Sequence, residues 1–192
     1  MQKFPSAKPI DITTERFQLR SVTAADISPT WIAWLDDPEI LEPLNAPAQK
    51  HTVQSLASQL TGYDNWNHYQ VGIFTRAERQ HIGLHEMNLN RKERLLQTNV
   101  LLGDKSWWGK GVVDETRSAL LDYFFFEQNI AKAYGQPLAR NFRMIFNYKK
   151  QGWTLDGVLE DNLTSRTTGE KVSQFRFSMT REKWAELRGR KS

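Results

Sequence analysis

Residues 101–111, which read LLGDKSWWGKG, determine how the rest of this chain is arranged. An apolar run at 100–102 ends at a turn, and a short loop then delivers Gly109 and Gly111. Apolar side chains recur through 112–129 at spacings of three to five, which predicts a helix. A strand, a glycine loop and a helix in this order direct backbone N–H groups and a helix N-terminus at an anion, usually a phosphate.

The loop does not match the common nucleotide fingerprints. Its two glycines fall short of the three in a dinucleotide motif, and no Gly-Lys-Ser/Thr follows as it does in a Walker loop. Taken alone, the loop therefore leaves two interpretations open, a phosphate site or a tight turn before a core helix.

A second segment, at residues 141–153, reads NFRMIFNYKKQGW. It resembles the N-x-x-(S/A)-I-x-x-Y-x-K-x-G-F segment of the GNAT acetyltransferase superfamily, and residues 106–111 resemble the pyrophosphate loop of that superfamily. Further matches are TTERFQLR at 13–20 and WLDDPE at 34–39. The chain is thus similar, over nearly its whole length, to the branch of Rim-type ribosomal-protein acetyltransferases and amino-sugar acetyltransferases.

The resemblance implies one α+β domain over residues 1–192. The expected architecture is a central, mostly antiparallel, twisted sheet of about seven strands that splays into a V, flanked by about four helices. Residues 1–10 contain two prolines and no periodicity, so a loose lead-in is expected there.

Alternating apolar and polar residues predict strands at 15–21, 69–75, 82–89, 95–102, 131–138, 153–159 and 171–179. Helical periodicity and capping residues predict helices at 112–129 and 143–151, a short one from Thr52 to Leu60, and one that opens at Thr23. Residues 36–50 are expected to be irregular, and 161–170 to form a polar loop.

Composition excludes several classes of site. The chain has no cysteine, so disulfides, thiolate metal sites and cysteine nucleophiles are excluded, and no metal site is expected. A net charge of +4 suggests mild attraction to anions such as CoA, but the charge is too evenly spread for a nucleic-acid surface. No apolar run approaches the ~20 residues that span a bilayer, so no membrane contact is expected. With no signal-like stretch at the N-terminus, a cytoplasmic protein is expected.

The resemblance implies acetyl-CoA as cosubstrate, held by Val100, Leu101, Leu102, Trp108, Gly109, Lys110, Gly111, Val112, Asn141 and Tyr148. The strand residues would pair with the pantetheine arm, and the loop N–H groups would bind the diphosphate. Two alternatives stay open here. Lys110 could be a solvated loop lysine, and Asn141 could serve as a helix cap.

The resemblance assigns Tyr148 as the acid that protonates the departing CoA thiolate. A phenol of pKa ~10 and a thiol of pKa ~8.5 make this transfer uphill by roughly 2 kcal/mol, unless the site stabilises the phenolate. Tyr148 could instead be a packing residue of its helix.

The general base is not evident from the resemblance. Relatives often carry an acid on the strand before the loop, where this chain has Gln97, which cannot accept the proton. The candidates are Glu42 in the proline-rich connection, and His85 or Glu86 on a hairpin strand. Strand alternation lets only one of the latter two face the pocket. His85 has the more suitable unperturbed pKa, although it could be an ordinary sheet histidine.

Two further departures affect the predicted diphosphate site. Val113 and Asp114 stand where the superfamily has a small residue and a threonine, so bulk and negative charge come close to the phosphates. An acidic residue in a first helical turn is favoured by the helix dipole.

The expected activity is transfer of an acetyl group from acetyl-CoA to a primary amine. The acceptor would be a small molecule, such as an amino-sugar nucleotide, or a protein N-terminal amine, and the protein would be a monomer or homodimer. The alternative is a CoA-binding module with weak or no catalysis, acting as a regulatory or partner protein.

Overall fold

The computed structural model describes residues 8–189, in which eight strands form a single sheet. The strands are β1 (Asp11–Thr13), β2 (Phe17–Ser21), β3 (His68–Thr75), β4 (His81–Asn90), β5 (Leu95–Leu102), β6 (Lys132–Gly135), β7 (Thr154–Thr164) and β8 (Lys171–Thr180). The helices are α1 (Pro29–Trp34), α2 (Pro38–Leu41), α3 (Val53–Leu60), α4 (Val112–Asp122), α5 (Phe142–Lys150) and α6 (Arg181–Leu187). The predicted mixed α+β fold is confirmed.

The strands lie in the order β1-β2-β3-β4-β5-β6-β8-β7. Every neighbouring pair is antiparallel except β5 and β6, which are parallel. Strands β3, β4 and β5 form an antiparallel meander, as expected for a mostly antiparallel sheet. The single parallel pair in the middle of the sheet is where the predicted splay can occur.

The helix predicted to open at Thr23 is interrupted. Thr23 and Asp26 do form the predicted capping box, but it closes only a 3₁₀ turn, Ala24–Asp26. A new helix, α1, then begins with Ser28 as its N-cap residue, whose hydroxyl accepts a hydrogen bond from the first turn, and with Pro29 in the first helical position. Because Pro29 has no N–H, it cannot continue a preceding helix but is well suited to begin one.

Two segments, one near the N-terminus and one in β7, are more ordered than the sequence pattern predicted. Strand β7 runs to Thr164, so the polar loop expected from residue 161 begins four residues later. Ile10, in the predicted loose lead-in, is buried and pairs with Ser21 through backbone and side chain. Residues 1–7, the rest of that lead-in, lie outside the described residues.

Strand β4 separates two sides of the molecule. Met87 packs in the main core together with residues of α4 and α5, whereas Leu84 packs in a smaller cluster with Trp31 and Trp34 of α1. Alternation along the strand places the side chains of His85 and Met87 on one face and those of Leu84 and Glu86 on the other. The imidazole of His85 therefore faces the α4 side of the sheet, and the carboxylate of Glu86 faces the α1 side.

Candidate functional site

The two parallel strands at the centre of the sheet diverge. β5 and β6 are paired from Leu95↔Lys132 to Gln97↔Tyr134. Strand β6 ends at Gly135, while β5 continues to Leu102 paired only with β4. Beyond Gln97 one edge of β5 is therefore left without a neighbouring strand, and we call this opening the fork.

The glycine loop, residues 106–111, follows directly from the open end of β5. Gly109 and Gly111 have φ of 75° and 74°, a region that favours glycine, and Gly111 is the N-cap of α4. The Trp108 indole nitrogen donates to the Leu102 carbonyl at 2.9 Å, which ties the loop to the strand end. The first N–H groups of α4, which have no partner within the helix, therefore begin close to the open end of β5.

Arg16 braces the same loop from outside. Its guanidinium donates to the Lys110 carbonyl at 2.9 Å and pairs with Glu115 of α4 at 2.7 Å. The Lys110 ammonium lies 5.6 Å from the centre of the Trp107 ring. Lys110 is not among the residues that line the adjoining cavity, whereas its neighbours Gly109 and Gly111 are.

A cavity of about 370 Å³, here called the donor cavity, joins the open edge of β5 to the first turn of α4 and one side of α5. Its lining includes most of the residues predicted to hold acetyl-CoA, namely Val100, Leu101, Leu102, Trp108, Gly109, Gly111, Val112 and Asn141.

The unusual pair Val113 and Asp114 is accommodated at this cavity. Val113 lines it without closing it. The Asp114 carboxylate is 3.0 Å from the Lys150 ammonium, and Lys150 also lines the cavity. The negative charge near the predicted phosphate position is therefore balanced by a neighbouring cation.

Asn141 adopts the alternative role of a helix cap. Its side-chain oxygen accepts from the Met144 N–H at 3.1 Å, and its amide nitrogen donates to the Pro43 carbonyl at 3.2 Å. Asn141 thus fixes the start of α5 and also attaches it to the connection that follows α2.

Tyr148 lies at the fork on the inner side of α5. Its ring stacks on Phe177 and meets Trp153 edge-on, and its hydroxyl approaches Gly135, where a Cβ atom would overlap it. Burial raises the pKa of Tyr148, and the nearby Arg117 guanidinium opposes that rise. Tyr148 lines a small cavity of about 140 Å³ at the fork, the fork cavity, which Gln97 also lines.

A third cavity, of about 210 Å³, lies on the α1 and α3 side of the sheet and is here called the acceptor cavity. Its walls are largely apolar, and Glu86 is the one carboxylate that lines it among the described residues. Burial and the charge of Glu86 raise the pKa of the neighbouring Tyr63 to about 12. Leu44 and Val100 line all three cavities, so these two residues lie between them.

The position of His85 argues against its predicted role as general base, and this corrects the expectation. Its side chain is fully buried on the α4 side, where Nε2 is 2.8 Å from the Thr116 hydroxyl. Because that hydroxyl donates to the Val112 carbonyl, it accepts from His85. Burial, aided by the charge of Arg117, lowers the pKa of His85 to about 3.

Glu42 is also outside the cavities. Its carboxylate is 2.7 Å from the Arg140 guanidinium, and it is absent from the lining of all three cavities. Of the carboxylates weighed from sequence, only Glu86 reaches the acceptor cavity. Strand alternation had already limited the choice to one of His85 and Glu86, but could not say which faced inward.

Arg117 and Gly135, which both lie next to Tyr148, were not predicted from the sequence to belong to the site. Arg117 lies within the predicted helix 112–129, where a charged residue suggests an exposed position, yet it is 1% exposed. Gly135 lies inside a predicted strand, and an isolated strand glycine is a signal of close approach by another group. That signal could have pointed to the fork.

Two classes of feature are absent from residues 8–189. No helix there is both long and apolar enough to cross a bilayer. Nor does that part of the chain gather three or more histidine, aspartate or glutamate side chains in a way that could hold a metal ion.

The family model for the acetyltransferase (GNAT) domain matches residues 16–154, which is well over half of the chain. No curated protein is significantly similar in sequence.

Solved structures share the fold at low sequence identity. The spermidine N-acetyltransferase from Vibrio cholerae, in complex with CoA and spermine, has a TM-score of 0.79 at 17% identity, over 89% of this chain and 99% of that one. The ribosomal-protein-S5-alanine acetyltransferase from Vibrio fischeri has a TM-score of 0.78 at 16% identity, over 91% and 98%. A GCN5-related N-acetyltransferase from Brucella melitensis has a TM-score of 0.80 at 11% identity, over 97% and 85%.

Proposed function

We propose that this chain, which belongs to the acetyltransferase (GNAT) family, acetylates a small primary amine that carries a single positive charge and an apolar arm. The family makes it an acetyl-CoA-dependent N-acetyltransferase. The proposal concerns the acceptor and the residues that act on it. The observation that carries it is the acceptor cavity, whose largely apolar lining includes one carboxylate, together with His51 and four amide or hydroxyl side chains.

The donor cavity suits acetyl-CoA. Gly109 and Gly111 let the backbone come close to a diphosphate, and the N-terminus of α4 favours its charge. The free edge of β5 at 98–102 offers backbone groups to the amides of a pantetheine arm. A strand N–H near Val100 would then stabilise the oxyanion of the reacting thioester carbonyl.

Glu86 is our proposed general base. A primary amine is mostly protonated at neutral pH, so it must lose a proton before it can attack a thioester. The Glu86 carboxylate accepts a hydrogen bond from Asn88 at 2.8 Å, which orients it at the wall of the acceptor cavity. Val100 lines both that cavity and the donor cavity, and the acetyl group would lie beside it.

Tyr148 is our proposed general acid. It lines the fork cavity, which shares the lining residues Val100 and Asn141 with the donor cavity. The proton on its hydroxyl would pass to the thiolate as CoA departs.

The chemistry of the acceptor cavity narrows the acceptor class. Glu86 is its single carboxylate among the described residues, whereas a polyamine with several positive charges would be better matched by several acids. No lysine or arginine from residues 8–189 lines it either, which disfavours the diphosphate of an amino-sugar nucleotide. The Gln70 Oε1 atom is buried at the cavity and has no hydrogen-bond partner in the described part of the chain. A second N–H or O–H group on the acceptor would satisfy it.

The first experiment is a thiol-release assay with acetyl-CoA and four acceptor classes. These are spermidine, an amino-sugar nucleotide, aryl- or alkyl-ethylamines, and short peptides with an apolar first residue and a free α-amine. We expect the highest kcat/KM with one of the last two. Preference for spermidine or the nucleotide would refute the acceptor assignment. Binding of acetyl-CoA without turnover on any amine would instead support the CoA-binding module.

Glu86→Gln tests the base with the best acceptor from that screen. We expect kcat/KM at pH 7 to fall by about 10²–10⁴-fold, and the deficit to shrink at high pH where the amine is already neutral. Glu93→Gln, in the exposed turn between β4 and β5, is the matched control and should behave as wild type. An unchanged kcat/KM in Glu86→Gln, with CoA affinity intact, would remove Glu86 from the mechanism.

A further inference from the structure

Arg117 of α4 is a buried cation with uncharged hydrogen-bond partners. Its guanidinium donates to the Gln151 side-chain oxygen at 3.1 Å and to the Met144 sulfur at 2.9 Å. Its Nε atom has no hydrogen-bond partner within residues 8–189. Buried charges are normally paired with an opposite charge, so this arrangement calls for an explanation.

The charged and titratable groups around Arg117 do not neutralise it. Asp114, one turn earlier on α4, attracts it but is ion-paired with Lys150. On β4, His85 faces the same interior and is neutral at physiological pH. Burial lowers the pKa of Arg117, but a guanidinium stays charged at neutral pH.

The remaining neighbour is Tyr148. The central carbon of the Arg117 guanidinium lies 4.4 Å from the centre of the Tyr148 ring and 5.7 Å from that of Trp153. A cation over an aromatic face is attracted by the ring, and in a water-poor interior the attraction is stronger. It increases again when the ring becomes a phenolate, because a full negative charge then spreads into it.

We propose that Arg117 is a positioning residue that stabilises the phenolate form of Tyr148 during release of CoA. The inference rests on the proposed role of Tyr148 as general acid. Tyr148 gives its hydroxyl proton to the sulfur as the carbon–sulfur bond breaks, and the sulfur keeps the bonding electron pair. The phenolate left beneath Arg117 regains a proton from water after CoA has gone.

This role answers a difficulty in the chemistry. A free phenol is a weaker acid than a thiol by about 1.5 pH units, and burial raises the pKa of Tyr148 further. Without a compensating cation the tyrosine would be a poor donor to the thiolate. Arg117 supplies that cation without occupying the cavities where the substrates bind.

The direct test measures the ionisation of the Tyr148 phenol. Wild-type protein and Arg117→Met, labelled with ¹³Cζ-tyrosine, are titrated by NMR without substrates. The Tyr148 signal is the one of five that is missing in Tyr148→Phe. We expect the ionisation midpoint of Tyr148 to rise by about one to three pH units in Arg117→Met. An unmoved midpoint would overturn the inference.

Kinetics supply a second test, as a cycle of Arg117→Met, Tyr148→Phe and the double variant. Tyr148→Phe should lower kcat by about 10²–10⁴-fold. Arg117→Met should lower kcat at least tenfold when Tyr148 is present and cause no further loss in the Tyr148→Phe background, while the Kd of CoA stays within twofold. Equal losses in both backgrounds would overturn the inference and leave Tyr148 as the acid. An unchanged kcat in Tyr148→Phe would overturn both.

The substitutions are chosen so that folding can be checked. Methionine is apolar and similar in length, and it removes the cost of burying a charge whose hydrogen-bond partners are uncharged. If Arg117→Met does not fold, Arg117→Lys and Arg117→Gln form the comparison, because one keeps the positive charge and the other does not. We then expect the Tyr148 midpoint to be higher in Arg117→Gln than in Arg117→Lys. Equal midpoints would overturn the inference.

Discussion

At the scale of single residues, Gly135 determines where the Tyr148 hydroxyl can lie. It is the last residue of β6, and any side chain there would occupy the volume of that hydroxyl. The phenol therefore reaches the fork only because this position has no Cβ.

Gly135→Ala is expected to displace Tyr148. We predict that kcat falls at least tenfold and that the free energy of unfolding drops by about 1–3 kcal/mol, the usual cost of overpacking. Steady-state assays and urea unfolding would measure the two effects. Gly157→Ala on β7 is the matched control, since its Cβ would meet no atom within 4 Å. Equal behaviour of the two variants would contradict this account.

The residues found from sequence and those missed differ in a physical way. The conformations of Gly109 and Gly111 are properties of a local turn, and a local motif could predict them. Gly135 and Arg117 matter because α4, α5 and β6 pack against Tyr148 from separate parts of the chain. No short window of sequence contains that information.

At the scale of elements, α5 presents two exposed phenylalanines four residues apart. Phe142 is 75% exposed and Phe146 is 67% exposed, but only Phe146 lines the donor cavity. Arg143 and Lys150 line the same cavity. The outer part of CoA carries an adenine ring and phosphates, so an aromatic face beside two cations suits it.

Phe146→Ala should therefore weaken the binding of acetyl-CoA. Loss of a stacking contact of about 1 kcal/mol predicts a KM roughly fivefold higher. The KM for acetyl-pantetheine, which lacks the adenosine part, should not change. Phe142→Ala, on the same helix but outside the cavity, should match wild type for both donors. An equal rise in KM for both donors would show that Phe146 does not act through the adenosine part of CoA.

Element types were easier to predict than element ends. Periodicity and capping residues located α3 and α5 to within about a residue. The break before Pro29 and the extra length of β7 were not predicted. The local pattern showed a capping box and a polar run, and it does not contain the tertiary contacts that these segments make. Those contacts include the pairing of Leu163 with Val172, which no local pattern indicates.

At the scale of the whole molecule, stability should depend on pH through buried histidines. His81 stacks on Phe74 and contacts Trp31 and Trp34 edge-on, and burial lowers its pKa to about 4. Between pH 6.5 and 4 the unfolded chain binds a proton at this position that the folded protein does not. Folding therefore loses stability as the pH falls through that window.

For His81 alone the loss should reach about 3 kcal/mol between pH 7 and pH 4. Urea unfolding at several pH values would measure it. His81→Phe should be somewhat less stable at pH 7, because the hydrogen bond to the Gly83 carbonyl is lost, but should show a shallower decline below pH 6.5. His68→Phe, which replaces a histidine at the exposed start of β3, is the matched control for the substitution. An unaltered slope in His81→Phe would refute the prediction.

Leu44 and Val100 border all three cavities, so the proposed thioester and amine would lie against the same two side chains. A chain without cysteine also has no thiol on which to hold the acetyl group between two half-reactions. We therefore expect each turnover to need both substrates bound together, with the acetyl group passing directly from the thioester to the amine. In such a mechanism the protein brings the two substrates together, and the acetyl group is never bonded to the protein itself.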